Sequence, residues 1–117
     1  AIGGRYGLPH GLTIGLVMAE TMDVDRTAEP ELFERIADAM GAPQDGSGDG
    51  SRAVTAAKAL LREIGFPTLR STGVLEEDLP ALAEAAMDDY FITVAPHRWT
   101  VDDVLRCYQA AWAIEER

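Results

Sequence analysis

At 117 residues the chain has the length of one ordinary domain. Ten lysines and arginines stand against twenty aspartates and glutamates, a net charge of −10, which argues against nucleic acid and against an anionic membrane surface as partners. A single cysteine, Cys107, leaves no internal disulfide and no thiolate metal cluster. No apolar run reaches roughly 18 residues and no basic leader precedes a cleavage site, so a cytoplasmic protein is expected.

The chain begins with Ala1 in what reads as a glycine-broken loop, Gly3-Gly4-Arg5-Tyr6-Gly7, and is expected to be a piece of a longer protein. Pro9 then suits the start of a helix, because its φ is already helical and it has no amide hydrogen to leave unpaired. From Leu12 to Met22 apolar residues fall on every side, which predicts a buried helix. At 100° per residue, His10, Thr13, Glu20 and Thr21 share one stripe of it. Unpaired buried polar groups are costly, so this stripe is expected to face a partner.

A second helix is predicted from near Pro30, with Leu32, Phe33, Ile36 and Met40 inward and Gly41 as its stop. Gln44 to Gly50 reads as a flexible surface loop; no basic residue or Lys-Ser/Thr ending supports phosphate binding there. Ser51 is placed as the cap of a third helix that buries Val54, Ala57, Leu60, Leu61 and Ile64 and ends at Gly65. Phe66-Pro67-Thr68-Leu69 leaves in extended form. Glu76, Glu77 and Asp78 mark the start of a fourth helix, where negative charge meets the positive end of the helix dipole. Tyr90 to Val94 is the one strand-like run, read as a short extended link or a helix end. Thr100 and Asp103 form a variant capping box for a last helix, with Val101, Val104, Leu105, Tyr108 and Trp112 at helical spacing.

About five helices and no alternating strand pattern give an all-α bundle in a single domain, 1–117. Such a bundle is a scaffold and announces no chemistry by itself.

The segments Gly7-Leu8-Pro9-His10-Gly11, Ile64-Gly65-Phe66-Pro67-Thr68-Leu69 and Glu77-Asp78-Leu79-Pro80-Ala81-Leu82, followed by Pro96 to Thr100 and the helix through Trp112, resemble the C-terminal half of the iron-containing alcohol dehydrogenases. The likeness runs through nearly the whole chain in order, and Pro9-His10-Gly11 is its most specific motif. It implies the helical C-terminal domain of a dehydroquinate synthase-like fold. It implies an N-terminal partner domain that binds NAD or NADP, and a divalent metal, Fe2+ or alternatively Zn2+, held by one aspartate and three histidines.

By that resemblance His10 is the last of the three histidines, and the other ligands are not in this chain. The chain then contributes one metal ligand, no catalytic residue and no dinucleotide contact, and is expected to be inactive alone. The intact enzyme would be a homo-oligomer acting on a small alcohol or aldehyde. Many members carry a second Pro-His pair where this chain has Ala19-Glu20, and the family's Asn-Pro-Arg appears as Ala95-Pro96-His97-Arg98. Gly3-Gly4 with Leu8-Pro9-His10 also looks like the related maleylacetate reductases. An alternative of another class is a non-enzymatic helical module that binds a protein partner. Arg5 and Tyr6 are read as loop packing, His97 as a loop histidine and Cys107 as an inert small hydrophobe.

Overall fold

Six α-helices and three short 3-10 turns make up the computed structural model, which describes residues 1–117 and contains no strand. The helices are α1 (Ile2–Tyr6), α2 (His10–Asp25), α3 (Pro30–Ala39), α4 (Ser51–Glu63), α5 (Leu79–Ala86) and α6 (Val101–Ala113). The 3-10 turns are Arg70–Thr72, Glu76–Asp78 and Tyr90–Thr93. The all-α expectation is met.

Helix α2 is central, with α4 on one flank and α6 on the other; α3 packs outside α4, and α5 outside α6. The result is a slab of 39 × 31 × 20 Å. Contact on two flanks explains why α2 is apolar around most of its circumference. Its helix is nonetheless not enclosed: only Gly15, Leu16, Ala19 and Glu20 are buried, and Ile14 is 49% exposed.

The main core gathers Ile2, Leu16, Leu69, Val74, Leu79, Leu82, Val104 and Tyr108. A second cluster, Ala19, Val54, Ala57 and Leu61, joins α2 to α4, and a third, Phe33, Ala37 and Ala53, joins α3 to α4. Alanine on both sides lets these helices approach closely without any loss of side-chain entropy.

Several local signals were legible as written. Helix α3 stops at Gly41 with Ala42 N–H bonded to Ala37 O at 3.0 Å, and α4 stops at Gly65 with Phe66 N–H bonded to Leu61 O at 2.9 Å. These are the six-to-one bonds of Schellman caps. The Thr100–Asp103 capping box at α6 is formed in both directions.

Other expectations need correction. Ile2–Tyr6 is a helix rather than a loop, because Ile2 inserts fully into the core and outweighs the poor helix propensity of two glycines. Gly50, not Ser51, caps α4, and the Ser51 amide is instead bonded by the Asp49 carboxylate at 2.9 Å. Leu60 and Ile64 face out of α4, while Arg52 and Ala53 take the inner positions. Leu32 and Met40 are exposed on α3, and Ala37 is buried in their stead. The loop before α4 is tied at its end, where Gly50 N–H bonds Glu34 at 2.9 Å and Arg26 reaches Asp49 O at 3.1 Å. Tyr90–Thr93 is a 3-10 turn, with Asp89 accepting from Phe91 N–H at 2.9 Å.

Candidate metal centre

His10 is the first residue of α2, directly after Pro9, whose φ of −57° and ψ of 143° turn the chain sharply into the helix. The imidazole is exposed, and neither ring nitrogen has a hydrogen-bond partner within the chain. An unengaged imidazole on a helix end is chemically suited to a borderline divalent metal. No three His, Cys, Asp or Glu side chains converge anywhere in the chain to complete such a site.

The turn that carries His10 is fixed at both ends. On the α2 side, Thr13 N–H and Thr13 Oγ1 both bond Pro9 O, at 3.0 and 3.1 Å. On the α1 side, Gly7 takes the left-handed conformation (φ 66°), which only glycine adopts without strain, and Leu8 N–H closes onto Gly3 O at 3.1 Å. Behind Gly7 the last turn of α1 grips one carboxylate. Arg5 bonds Asp78 Oδ1 at 3.0 Å, and the Tyr6 hydroxyl donates to Asp78 Oδ2. The Tyr6 oxygen in turn accepts Leu75 N–H at 3.2 Å. The bond to Asp78 holds the Tyr6 phenol above its ordinary pKa, since losing the proton would place two anions together.

Arg5 and Tyr6 therefore do pack the turn, as the sequence suggested. Asp78 was not singled out for this role. It is one of three consecutive acids, and its partners lie more than seventy positions away (73 for Arg5 and 72 for Tyr6), so no local spacing marks it.

The polar stripe of α2 does not gather into one site. Thr21 spends its hydroxyl on Val17 O and Met18 O, at 3.1 and 2.9 Å. Glu20, 8% exposed, lies two to three turns beyond His10, and its Oε2 has no partner. Only His10 is free and accessible. A separate cleft of about 240 Å3, lined in part by Thr21, Asp25, Phe91, Trp99 and Tyr108, opens near the opposite end of α2.

His97 sits in a loop as expected, with Nε2 2.9 Å from Asp103 Oδ2 and its ring edge-on to Trp99. This bond, with Thr100 N–H, holds the Asp103 carboxyl below the usual carboxylate range. Cys107 is buried, and its thiol is pushed up to about 12 by burial and then by the charge of Glu20. It is an inert thiol at neutral pH.

Comparison with known proteins gives this geometry its context. The sequence profile described as "Fe-containing alcohol dehydrogenase family, C-terminal" matches residues 1–112. Lactaldehyde reductase of Escherichia coli (strain K12) is 36% identical over 115 residues, covering 95% of this chain and 30% of that protein. Maleylacetate reductase 1 of Rhodococcus opacus is 29% identical over 112 residues, 95% of this chain and 29% of that protein. The crystal structure of a 1,3-propanediol oxidoreductase superimposes with a TM-score of 0.88 at 31% identity, over 94% of this chain and 30% of that one. The chain thus spans about 30% of the length of the relatives it matches. With a profile match over residues 1–112 and a shared helical architecture, the chain belongs to the Fe-containing alcohol dehydrogenase family and corresponds to its C-terminal domain.

Proposed function

We propose that this chain is the metal-presenting wall of an NAD(P)-dependent enzyme that interconverts a small alcohol and its aldehyde or ketone, with His10 as its one metal ligand. The observation that carries the reading is the state of His10: exposed, rigidly mounted and unbonded, one helical turn before the exposed apolar Ile14 on the same face of α2. An imidazole and an apolar side chain left open together suit a surface completed by another domain.

The group to be held is Fe2+, or alternatively Zn2+. A single imidazole fits as one member of its ligand set, and the remaining ligands lie in the part of the same enzyme that precedes this chain. When bound, such a metal supplies Lewis-acid polarisation of the substrate oxygen while hydride passes to or from the nicotinamide. This chain's share is to fix the ligand and to wall one side of the cleft. Its likeness to lactaldehyde reductase supports a small substrate. Assembly into homo-oligomers and residence in the cytoplasm belong to the same proposal; the buried, unbridged Cys107 suits a reducing compartment.

The test is His10→Ala in the full-length enzyme that carries this chain. Metal content should fall and turnover should drop by orders of magnitude, because metal polarisation contributes several kcal/mol to lowering the barrier. Nicotinamide binding should hardly change. A folded variant with full metal content and near-normal turnover would overturn the assignment.

A further inference from the structure

The two oxygens of Asp78 are engaged by consecutive residues of α1, and those residues immediately precede the turn that carries His10. Arg5 holds Oδ1 at 3.0 Å and the Tyr6 hydroxyl holds Oδ2, while the Tyr6 oxygen accepts Leu75 N–H at 3.2 Å. Only Gly7, Leu8 and Pro9 lie between Tyr6 and His10. From these contacts we infer that Asp78 is a positioning residue for His10, acting through Arg5 and Tyr6 to set where the imidazole stands. The inference rests on the reading of His10 as a metal ligand.

A structural tie alone is a poor explanation for the clasp. Helix α1 is already anchored by Ile2, 1% exposed in the core, and by the Tyr6 ring packed against the same cluster, whereas the ion pair of the clasp adds Arg5, whose side chain is half exposed. Exposed ion pairs contribute little to global stability. What the clasp does fix is direction. With Asp78 holding the last turn of α1 and Thr13 holding Pro9 O, the three residues between are themselves restrained: Gly7 and Leu8 N–H both bond Gly3 O, and the ring of Pro9 fixes its φ. A metal ligand must be held to within about half an ångström of its productive position, which is the demand such a brace meets.

The experiment measures the metal dissociation constant of the full-length enzyme by chelator competition, together with the melting temperature of the metal-free protein. Asp78→Ala should weaken metal binding about tenfold while the metal-free melting temperature stays close to that of the parent. Asp78→Asn, which keeps one acceptor oxygen and so only one of the two contacts, should recover part of the loss. Tyr6→Phe should weaken binding in the same way, and adding Asp78→Ala to it should cost little more, because both break one chain of contacts. The Tyr6→Phe arm stands even where Asp78→Ala fails to fold. Unchanged metal affinity in the Asp78 and Tyr6 variants, in an enzyme whose affinity collapses on His10→Ala, overturns the positioning role. A lowered melting temperature with unchanged affinity overturns it as well. If His10→Ala itself leaves metal affinity intact, the ligand reading fails, and this inference fails with it.

Discussion

The ring of Phe66 lies against the bare Cα of Gly15, where a β-carbon would come within 2.2 Å of Cζ. This contact is how the chain leaving α4 closes over the middle of α2, a little over one turn after His10. Gly15→Ala must displace an aromatic ring that packs against two of the three apolar clusters. The expected cost is about 1–3 kcal/mol, in the range for overpacked cores, read as a lower denaturant midpoint. A Gly15→Ala chain within about half a kcal/mol of the parent would show that the ring moves away freely.

The buried thiol and phenol of α6 predict weakness in alkali. Burial, and then nearby negative charge, pushes Cys107 and Tyr108 each up to about 12, from ordinary values of 9.0 and 10.0. Both groups are held neutral in the folded chain, so the native state keeps protons that the unfolded state releases above pH 9. Their contribution is complete below pH 9 and is lost as the pH rises towards 12. Urea midpoints should fall over that range, and Cys107→Ala should flatten the fall. Native Cys107 should also resist alkylation at pH 8 under conditions that label the denatured chain. Rapid labelling of the native protein would contradict its burial.

Asp103 does two jobs, and its loss should therefore exceed that of its partner. Thr100→Ala removes one cap bond and should cost about 1 kcal/mol. Asp103→Ala removes the bond to Thr100 N–H and the one to His97 together, and should cost more. The carboxyl is held below its ordinary value by His97 first and by Thr100 N–H second, so its support is present above about pH 4 and lost as the pH falls further. An Asp103→Ala chain no less stable than Thr100→Ala would remove His97 from this account.

How far the sequence was legible depends on how local each cause is. The stops at Gly41 and Gly65 and the box at Thr100 depend on residues within one turn, and all three read correctly. The inner faces of α3 and α4 read only in part: Phe33, Val54, Ala57 and Leu61 are buried as expected. The other inner partners are a buried Arg52 and small alanines, whereas Leu60 and Ile64 carry the stronger apolar signal and point outwards. Helix α1 was hidden because its stability comes from Ile2 in the core, set against two glycines. The proposal of His10 as a metal ligand rests on a motif that spacing alone could not interpret. Asp78 stayed invisible because its meaning lies in contacts across more than seventy residues (73 to Arg5, 72 to Tyr6).

Arg52 accounts for the strongest polar tie between α3 and α4. It is 3% exposed, bonds Glu34 and Asp38 at 3.1 and 2.8 Å, and donates to Ala42 O at 3.0 Å. Those partners hold its guanidinium firmly charged. Removing it leaves Glu34 Oε1 and the Ala42 carbonyl without their donor, so Arg52→Ala should lower the denaturant midpoint far more than Arg35→Ala or Arg62→Ala on exposed positions. Arg52→Lys should recover only part of the loss, because one ammonium cannot reproduce a planar fork of donors. Equal midpoints for Arg52→Ala and the two exposed controls would show that this network is incidental.

The division of labour between this chain and the rest of the enzyme can be read directly from metal binding by residues 1–117 alone. His10 is the only metal ligand assigned to the chain, and no three His, Cys, Asp or Glu side chains approach one another elsewhere in it. A single exposed imidazole gives a divalent ion one bond and leaves water in its other positions, so the complex should be no tighter than that of any surface histidine. The chain is therefore expected to lose iron or zinc on dialysis, with His10→Ala making no measurable difference to what remains. On the proposed reading the same histidine should matter greatly in the full-length enzyme, because further ligands would hold the ion and each further bond would multiply the affinity. Stoichiometric metal that survives dialysis of residues 1–117 would mean that the chain carries a complete site of its own, and the placing of the missing ligands in the preceding part of the enzyme would have to be abandoned.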